Sequence, residues 1–259
     1  MHKTVLAIAL LSVFGAASSA IAADAPASPH TVTGNLSVVS DYRFRGVSQT
    51  FGLPAVQGGF DYAHSSGFYA GNWNSNVSGL QYANGAGLEM DAYAGFKTEV
   101  AGVGIDVGTL YYYYPGASTD TTNVKYDNQE VYLGLGVGPL SAKASYAITD
   151  YFGLNDATGG NGKSKGTLYY EVNFAKEVAP KLTVTAHVGT TVYKNYKDFD
   201  YTDYKVGAAY DLNGFALGLA VVGNTLKAAG KTFNTVSNDS GKEQKLYKTG
   251  AVLSLSKSF

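Results

Sequence analysis

The rhythm of the connections constrains this chain more than any other feature. From about residue 31 to the end, apolar and polar side chains alternate with a period of two, the pattern of strands with two unlike faces. The alternation divides into twelve segments, roughly 31–44, 54–63, 67–77, 87–98, 103–114, 128–138, 139–151, 166–176, 181–193, 201–212, 214–224 and 245–259. Each is long enough for a tilted span of about 9–11 residues. Between them lie short connections at His64–Gly67, Glu99–Gly102, Gly138-Pro139, Glu177–Lys181 and Asn213-Gly214. Long ones fall at Arg45–Leu53, Ser78–Ala86, Pro115–Asp127, Phe152–Lys165, Lys194–Asp200 and Thr225–Gln244. Short and long alternate without a slip. Bacterial outer-membrane barrels have this asymmetry, with short periplasmic turns and long outer loops, whereas a soluble sandwich has no reason to keep it. The expected fold is all-β: a membrane-spanning antiparallel up-and-down β-barrel of about twelve strands over residues 31–259. An even strand count places both termini in the periplasm.

The two ends agree. Tyr247, Thr249, Ala251, Leu253, Leu255 and Phe259 share one face of the last segment, and Lys248, Gly250, Ser254, Ser256 and Ser258 share the other. A barrel ends this way because its last strand closes the sheet and leaves no free edge. Lys257 interrupts the apolar face, near enough to the end for its ammonium to reach headgroups. At the start, His2 and Lys3 precede the apolar stretch Val5 to Ala17, and Ala20-Ile21-Ala22 forms an A-x-A cleavage site. Residues 1–22 read as a signal peptide and 23–30 as a short periplasmic leader.

Composition narrows the class. After the signal segment no run approaches 18 consecutive apolar residues, so a helical membrane protein is excluded. The absence of cysteine excludes disulfides and thiolate metal sites. With 19 Lys+Arg against 20 Asp+Glu, the chain has no polybasic address for nucleic acid. Its 21 tyrosines suit membrane–water girdles, and its 32 glycines suit a curved sheet with a crowded lumen.

Alternation assigns faces. Leu36, Val38, Tyr42 and Phe44 are expected to face lipid in the first strand, with Asp41, Arg43 and Arg45 inward. The inner wall is expected to carry Asp61, Glu89, Asp91, Lys97, Asp106, Glu130, Lys143, Glu171, His187, Asp203, Lys205 and Lys248 as pore-lining candidates. Tyr42, Phe44, Phe96, Phe174, Tyr247 and Phe259 are the candidates for the membrane girdle and barrel closure. The third strand is ambiguous, because Asn72 and Asn74 fall on its apolar face. Charged groups inside a barrel must be hydrated or paired, so they either line a water-filled pore or interlock as a plug. A twelve-stranded barrel lies between side-chain-filled small barrels and open porins.

Catalytic chemistry has little support. His187 is the one histidine expected in the lumen, and no serine is paired with it in the sequence, which argues against a lipid hydrolase. Gly134, Gly136 and Gly138 lack the following helix of a phosphate loop. Acidic residues lack calcium-loop spacing, and no cofactor or metal is implied.

The segment Ser40-Asp41-Tyr42-Arg43-Phe44-Arg45-Gly46-Val47-Ser48-Gln49-Thr50 resembles the opening signature of the TorF-type porin family. Pro54 to Tyr62, Gly67 to Gly71, Asp91 to Gly95, Tyr113 to Gly116 and the terminal Ser256-Lys257-Ser258-Phe259 continue the resemblance. It implies a Gram-negative outer-membrane barrel of channel function. The expectation is therefore a narrow charged pore for passive diffusion of ions or small polar solutes. The alternatives are a closed barrel with a structural or loop-mediated binding role and, further off, the hydrolase. Expected partners are outer-membrane lipid, the barrel assembly machinery acting on the C-terminal strand, and the diffusing solutes. Arg43 and Arg45 are expected either to favour anions at a constriction or to clamp Asp41 and fix the first loop.

Overall fold

A computed structural model describes residues 28–82, 87–119, 122–227, 230–231, 234–237 and 241–259. The signal peptide and most of the leader lie outside the described residues. The barrel strands are β1 (His30–Val39), β2 (Ala55–His64), β3 (Phe68–Asn76), β4 (Leu88–Val100), β5 (Val103–Tyr113), β6 (Asn128–Val137), β7 (Leu140–Ala147), β8 (Leu168–Ala179), β9 (Leu182–Val192), β10 (Tyr201–Leu212), β11 (Phe215–Asn224) and β12 (Gly250–Ser258). Each pairs antiparallel with its neighbours in chain order, and β12 returns to β1 to close the barrel. The expected all-β, twelve-stranded up-and-down barrel is the observed one.

Closure is made by backbone and covered by an aromatic ring. Leu36 stands opposite Lys257 and Val38 opposite Leu255. Phe259 N–H donates to Gly34 O at 2.9 Å, and Gly34 N–H donates to Phe259 O at 2.7 Å. The Phe259 ring lies over Gly34 on the outer wall, where a β-carbon would collide with it. The Lys257 ammonium sits 4.4 Å from the centroid of the Phe215 ring on β11, so the cation on the apolar face has a π partner.

The outer wall is apolar on most strands. Leu36, Val56, Phe60, Leu133, Val172, Val206, Leu219 and Leu253 are exposed on it. A monomer in water rarely shows a continuous surface of this kind, whereas lipid accepts it. Asn72 and Asn74 do face outward on β3, and the ambiguity of that strand is resolved by what their amides do. Asn72 Oδ1 accepts from Phe60 N–H at 3.2 Å, and Asn74 Nδ2 donates to Gly58 O at 3.2 Å. Amides bonded to the neighbouring backbone leave less polarity to desolvate.

On the inner wall, tyrosine and glycine form a repeated pair. Tyr93 lies across Gly71, Tyr69 across Gly95, Tyr132 across Gly108 and Tyr169 across Gly189, each ring filling the space a β-carbon would take on the adjacent strand. Tyrosine abundance therefore reflects lumen packing as well as the girdle.

Three strand boundaries fall four or more residues from expectation. The seventh strand stops at Ala147, and the last begins at Gly250, which leaves Tyr247 and Lys248 in the preceding loop. The first strand stops at Val39, and residues 40–54 turn inward rather than continuing up the wall. The Asp41 carboxylate explains the departure: it accepts from the Ser48 hydroxyl at 2.6 Å and the Thr50 hydroxyl at 3.3 Å, bonds that compete with a strand ladder.

Candidate functional site: a charged lumen under an inward hairpin

Within the first long connection, Arg43–Phe44 pairs with Val47–Ser48 in a small hairpin. Arg45 (φ 46°) and Gly46 (φ 78°) form its two-residue tip. Two successive positive φ angles are the signature of a type I′ turn, whose twist suits paired strands. Glycine is required at the second position: a β-carbon there would strike Gly223 O and the side chains of Asp203 and Asn224. The tip thus reaches the β10–β11 wall, and Asn224 Nδ2 donates to Gly46 O at 2.9 Å.

The arginines are both clamped. Arg43 Nε contacts Asp41 Oδ2 at 2.5 Å, and its Nη1 donates to Leu246 O at 3.0 Å and Lys248 O at 2.7 Å. This ties the first long loop to the last. Arg45 crosses to β6, with Nη1 on Glu130 Oε1 at 3.0 Å and Nη2 on Glu130 Oε2 at 2.8 Å. This bidentate geometry is the strong form of the pair. Its Nη1 also meets the Tyr151 hydroxyl at 2.5 Å, and its guanidinium stacks 3.8 Å from the Tyr169 ring centroid. Arg43 makes the expected contact with Asp41, whereas Arg45 pairs with Glu130 instead.

Below the hairpin the wall is a cross-strand ladder of charges. Lys97 and Asp106, Asp106 and Gly134, Gly134 and Lys143, Lys143 and Glu171 stand opposite one another in successive strand pairs. Lys143 Nζ meets Glu171 Oε1 at 3.0 Å, and Lys97 Nζ lies 3.9 Å from Asp106 Oδ2. Opposite charges facing across strands support the sheet. His187 Nε2 is 2.8 Å from Asp203 Oδ1, its Nδ1 is 2.6 Å from Asn173 Oδ1, and the Tyr169 hydroxyl is 3.1 Å from Nε2. No serine is among these partners.

A cavity of about 1160 Å³ occupies the lumen. His64, Ser65, Gly67, Thr98 and Glu99 line its short-turn end, and Asp41 to Gly46 of the hairpin form its roof. Beyond the roof, Tyr82, Tyr114, Tyr126 and Phe152 pack with Phe44 and Tyr42. None of the first four lines the cavity.

Most of the expected inward residues do meet in one space. Asp61, Asp91, Lys97, Asp106, Lys143, Glu171, His187, Asp203 and Lys205 line the cavity from the strands. Glu89 and Glu130 are buried on the same inner face. Asp41, Arg43 and Arg45 line it too, but from the hairpin rather than the wall. Lys248 is exposed in the loop before β12 and contributes only its carbonyl.

The aromatic expectations divide. Phe96 faces outward and packs edge-on against Phe68 at 5.0 Å, and Phe174 shares the alternating set with exposed Tyr170 and Val172. Tyr42 and Phe44 are inside the barrel, not in an outer girdle: Tyr42 is only 4 % exposed and donates to Glu89 Oε1 at 3.1 Å. The alternation that assigned them to lipid does not apply here, because the strand ends at Val39. Tyr247 packs in a loop cluster with Val47, Phe51, Tyr201, Leu226 and Leu246.

Tyr69, Tyr132 and Tyr151 were missed as lumen groups. Tyr69 donates to Asp106 at 2.6 Å and lies 2.5 Å from the Tyr132 hydroxyl. Tyr132 shares the parity of Glu130 and was readable on that ground. Tyr151 stands in a loop, where alternation gives no signal.

The sequence model of a bacterial family described as "Bacterial protein of unknown function (Gcw_chp)" matches residues 23–259. The chain belongs to the Gcw_chp family. The match carries this family name rather than the TorF one. No curated protein sequence matches the chain. Among solved structures, the KdgM porin is similar in fold at TM-score 0.51 and 11% identity, covering 88% of this chain and 99% of that one. The KdgM porin in complex with disordered oligogalacturonate gives the same values. The NanC porin follows at TM-score 0.50 and 8% identity, with 88% and 99% covered. At these identities the likeness speaks to the barrel fold.

Proposed function

We propose that this Gcw_chp protein is an outer-membrane channel of porin type, and that the inward hairpin of residues 40–54 is its constriction. The observation that carries this reading is the cavity of about 1160 Å³, lined by charged groups from the short-turn rim up to Arg45. A hydrated, charge-lined space inside a closed barrel supports passive diffusion of small ions or polar solutes rather than catalysis. The fold likeness to KdgM and NanC porins and the resemblance of the Asp41–Arg45 segment to TorF-type porins support the same class. KdgM is described with an acidic oligosaccharide, oligogalacturonate. The lumen here is unlike a site for such a chain, because its roof arginines are consumed by Asp41 and Glu130.

The apolar outer wall and a last strand followed directly by Phe259 support insertion in the outer membrane with both termini periplasmic, and assembly through that strand. The second reading, a closed barrel acting through its outer loops, has one specific observation in its favour. The buried Arg45–Glu130 pair and the aromatic layer above it fill the outer half of the lumen. Single-channel recording of the purified protein in a planar bilayer separates the two. The channel reading expects discrete conductance steps; persistent silence at all voltages favours the closed barrel.

A further inference from the structure

Charge is not evenly matched inside this lumen. Arg43 is paired with Asp41, Arg45 with Glu130, Lys97 with Asp106, Lys143 with Glu171 and His187 with Asp203. Lys205 interacts with Glu171 and Asp203. Among the described lumen residues, three carboxylates away from the rim have no ion pair: Asp61, Glu89 and Asp91. They share one sector of the wall. Glu89 and Asp91 are successive inward residues of β4. Gly59 and Trp73 stand in register with Asp91, and Asp61 and Gly71 stand with Tyr93 one step nearer the short turns. The acids therefore descend in file from the hairpin roof toward the open end.

Asp61 is satisfied by the Tyr93 hydroxyl at 2.5 Å and by Asn35 Nδ2 at 3.3 Å. The upper two are satisfied only in part, Glu89 Oε1 accepting from the Tyr42 hydroxyl at 3.1 Å. Glu89 is 1% exposed and Asp91 7%, yet Glu89 Oε2 and Asp91 Oδ1 are buried without a hydrogen-bond partner. Carboxylate oxygens left this way are costly, and a structure tolerates them where something absent supplies the partner. Asp91 lines the cavity and Glu89 lies behind it, so the site is approached from the short-turn end at Asp91.

We propose that Glu89 and Asp91 form a binding site for a small monovalent inorganic cation beneath the hairpin, approached past Asp61. Oxygen ligands on hard anionic groups suit such an ion. Among the described residues no group of three or more His, Cys, Asp or Glu could hold a metal ion, so the site lacks the ligand set of a tight multivalent centre. Weak, partly hydrated binding is what conduction requires, since an ion must leave as readily as it enters. The proposal deepens the channel reading by assigning it a cation preference, but occupancy of the site does not depend on conduction.

Trp73 is the chain's single tryptophan and a built-in reporter. It stands opposite Asp91 in the sheet, lines the cavity and packs 5.3 Å from the Tyr42 ring. Thallous ion, a potassium surrogate and heavy-atom quencher, is added as the nitrate to the folded protein in detergent. Saturable quenching of Trp73 is expected, relieved by potassium nitrate, with iodide giving no saturable component. The Glu89→Gln/Asp91→Asn variant keeps an acceptor for the Tyr42 hydroxyl and should lose the saturable component; Asp91→Asn alone, should the double variant fail to fold, should weaken it. Saturable quenching that survives these substitutions, or that is absent from the wild-type protein, overturns the proposal. A bilayer that stays silent while thallous ion still saturates rejects the channel and leaves the cation site standing.

Discussion

Arg45 holds a demanding position. It sits at a hairpin tip with φ 46°, a region where side chains other than glycine are strained. That strain persists because Glu130, Tyr151 and Tyr169 hold the guanidinium from three directions. Removing one partner of a buried pair leaves an uncompensated charge, at a cost of about 3–5 kcal/mol. Glu130→Ala is therefore expected to release the hairpin while the barrel stays closed. Limited proteolysis should then cut between residues 40 and 54 in the variant and spare the wild type. The charges of Asp41, Arg43 and Arg45 were legible as inward. Their place on a hairpin was not, because alternation reports which face a residue takes and is silent about where the chain leaves the sheet. Gly46 was the available signal, a glycine after Arg45 inside an alternating run.

Among the elements, the tyrosine–glycine pairs carry the packing of the inner wall. Each bulky ring is accommodated by the absence of a side chain on the next strand, so the two residues form a unit across the hydrogen-bonded ladder. A methyl group at Gly189 would meet the Tyr169 phenol, and overpacking of this kind costs about 1–3 kcal/mol. Gly189→Ala should lower the denaturant midpoint of the refolding barrel. Tyr169→Phe/Gly189→Ala should recover little, because the ring itself still occupies the space. The same substitution displaces the ring on which Arg45 stacks, so it should also change conductance. The hairpin tip offers a second test at this scale. Gly46→Val adds both a strained φ and a collision with the β10–β11 wall, and should raise the frequency of open events in bilayer recordings. Strand count and the order of turns and loops were readable from sequence because they follow from periodicity and turn residues. The pairing of rings with glycines was not, since it depends on register between strands.

For the whole molecule, closure decides stability. With β12 against β1 the barrel has no free edge, and the Phe259 ring covers the glycine at the seam. Phe259→Ala should reduce the folded, heat-modifiable fraction recovered on gels while leaving the sheet's circular dichroism unchanged in the molecules that fold. The outer face was legible on most strands, but Asn72 and Asn74 left the third ambiguous until their amides were seen bonded to neighbouring backbone, and Tyr42 and Phe44 were assigned to it although the strand ends at Val39. The state of the lumen was not legible: the same inward charges describe a lining or a plug until the hairpin's position is known. The most direct test compares single-channel conductance of the wild-type protein with a variant in which Asp41 to Gln49 is replaced by a short Gly/Ser linker. The account predicts small or infrequent steps from the wild type and larger, long-lived steps from the variant. Equal conductance in the two, or silence from both, would contradict it.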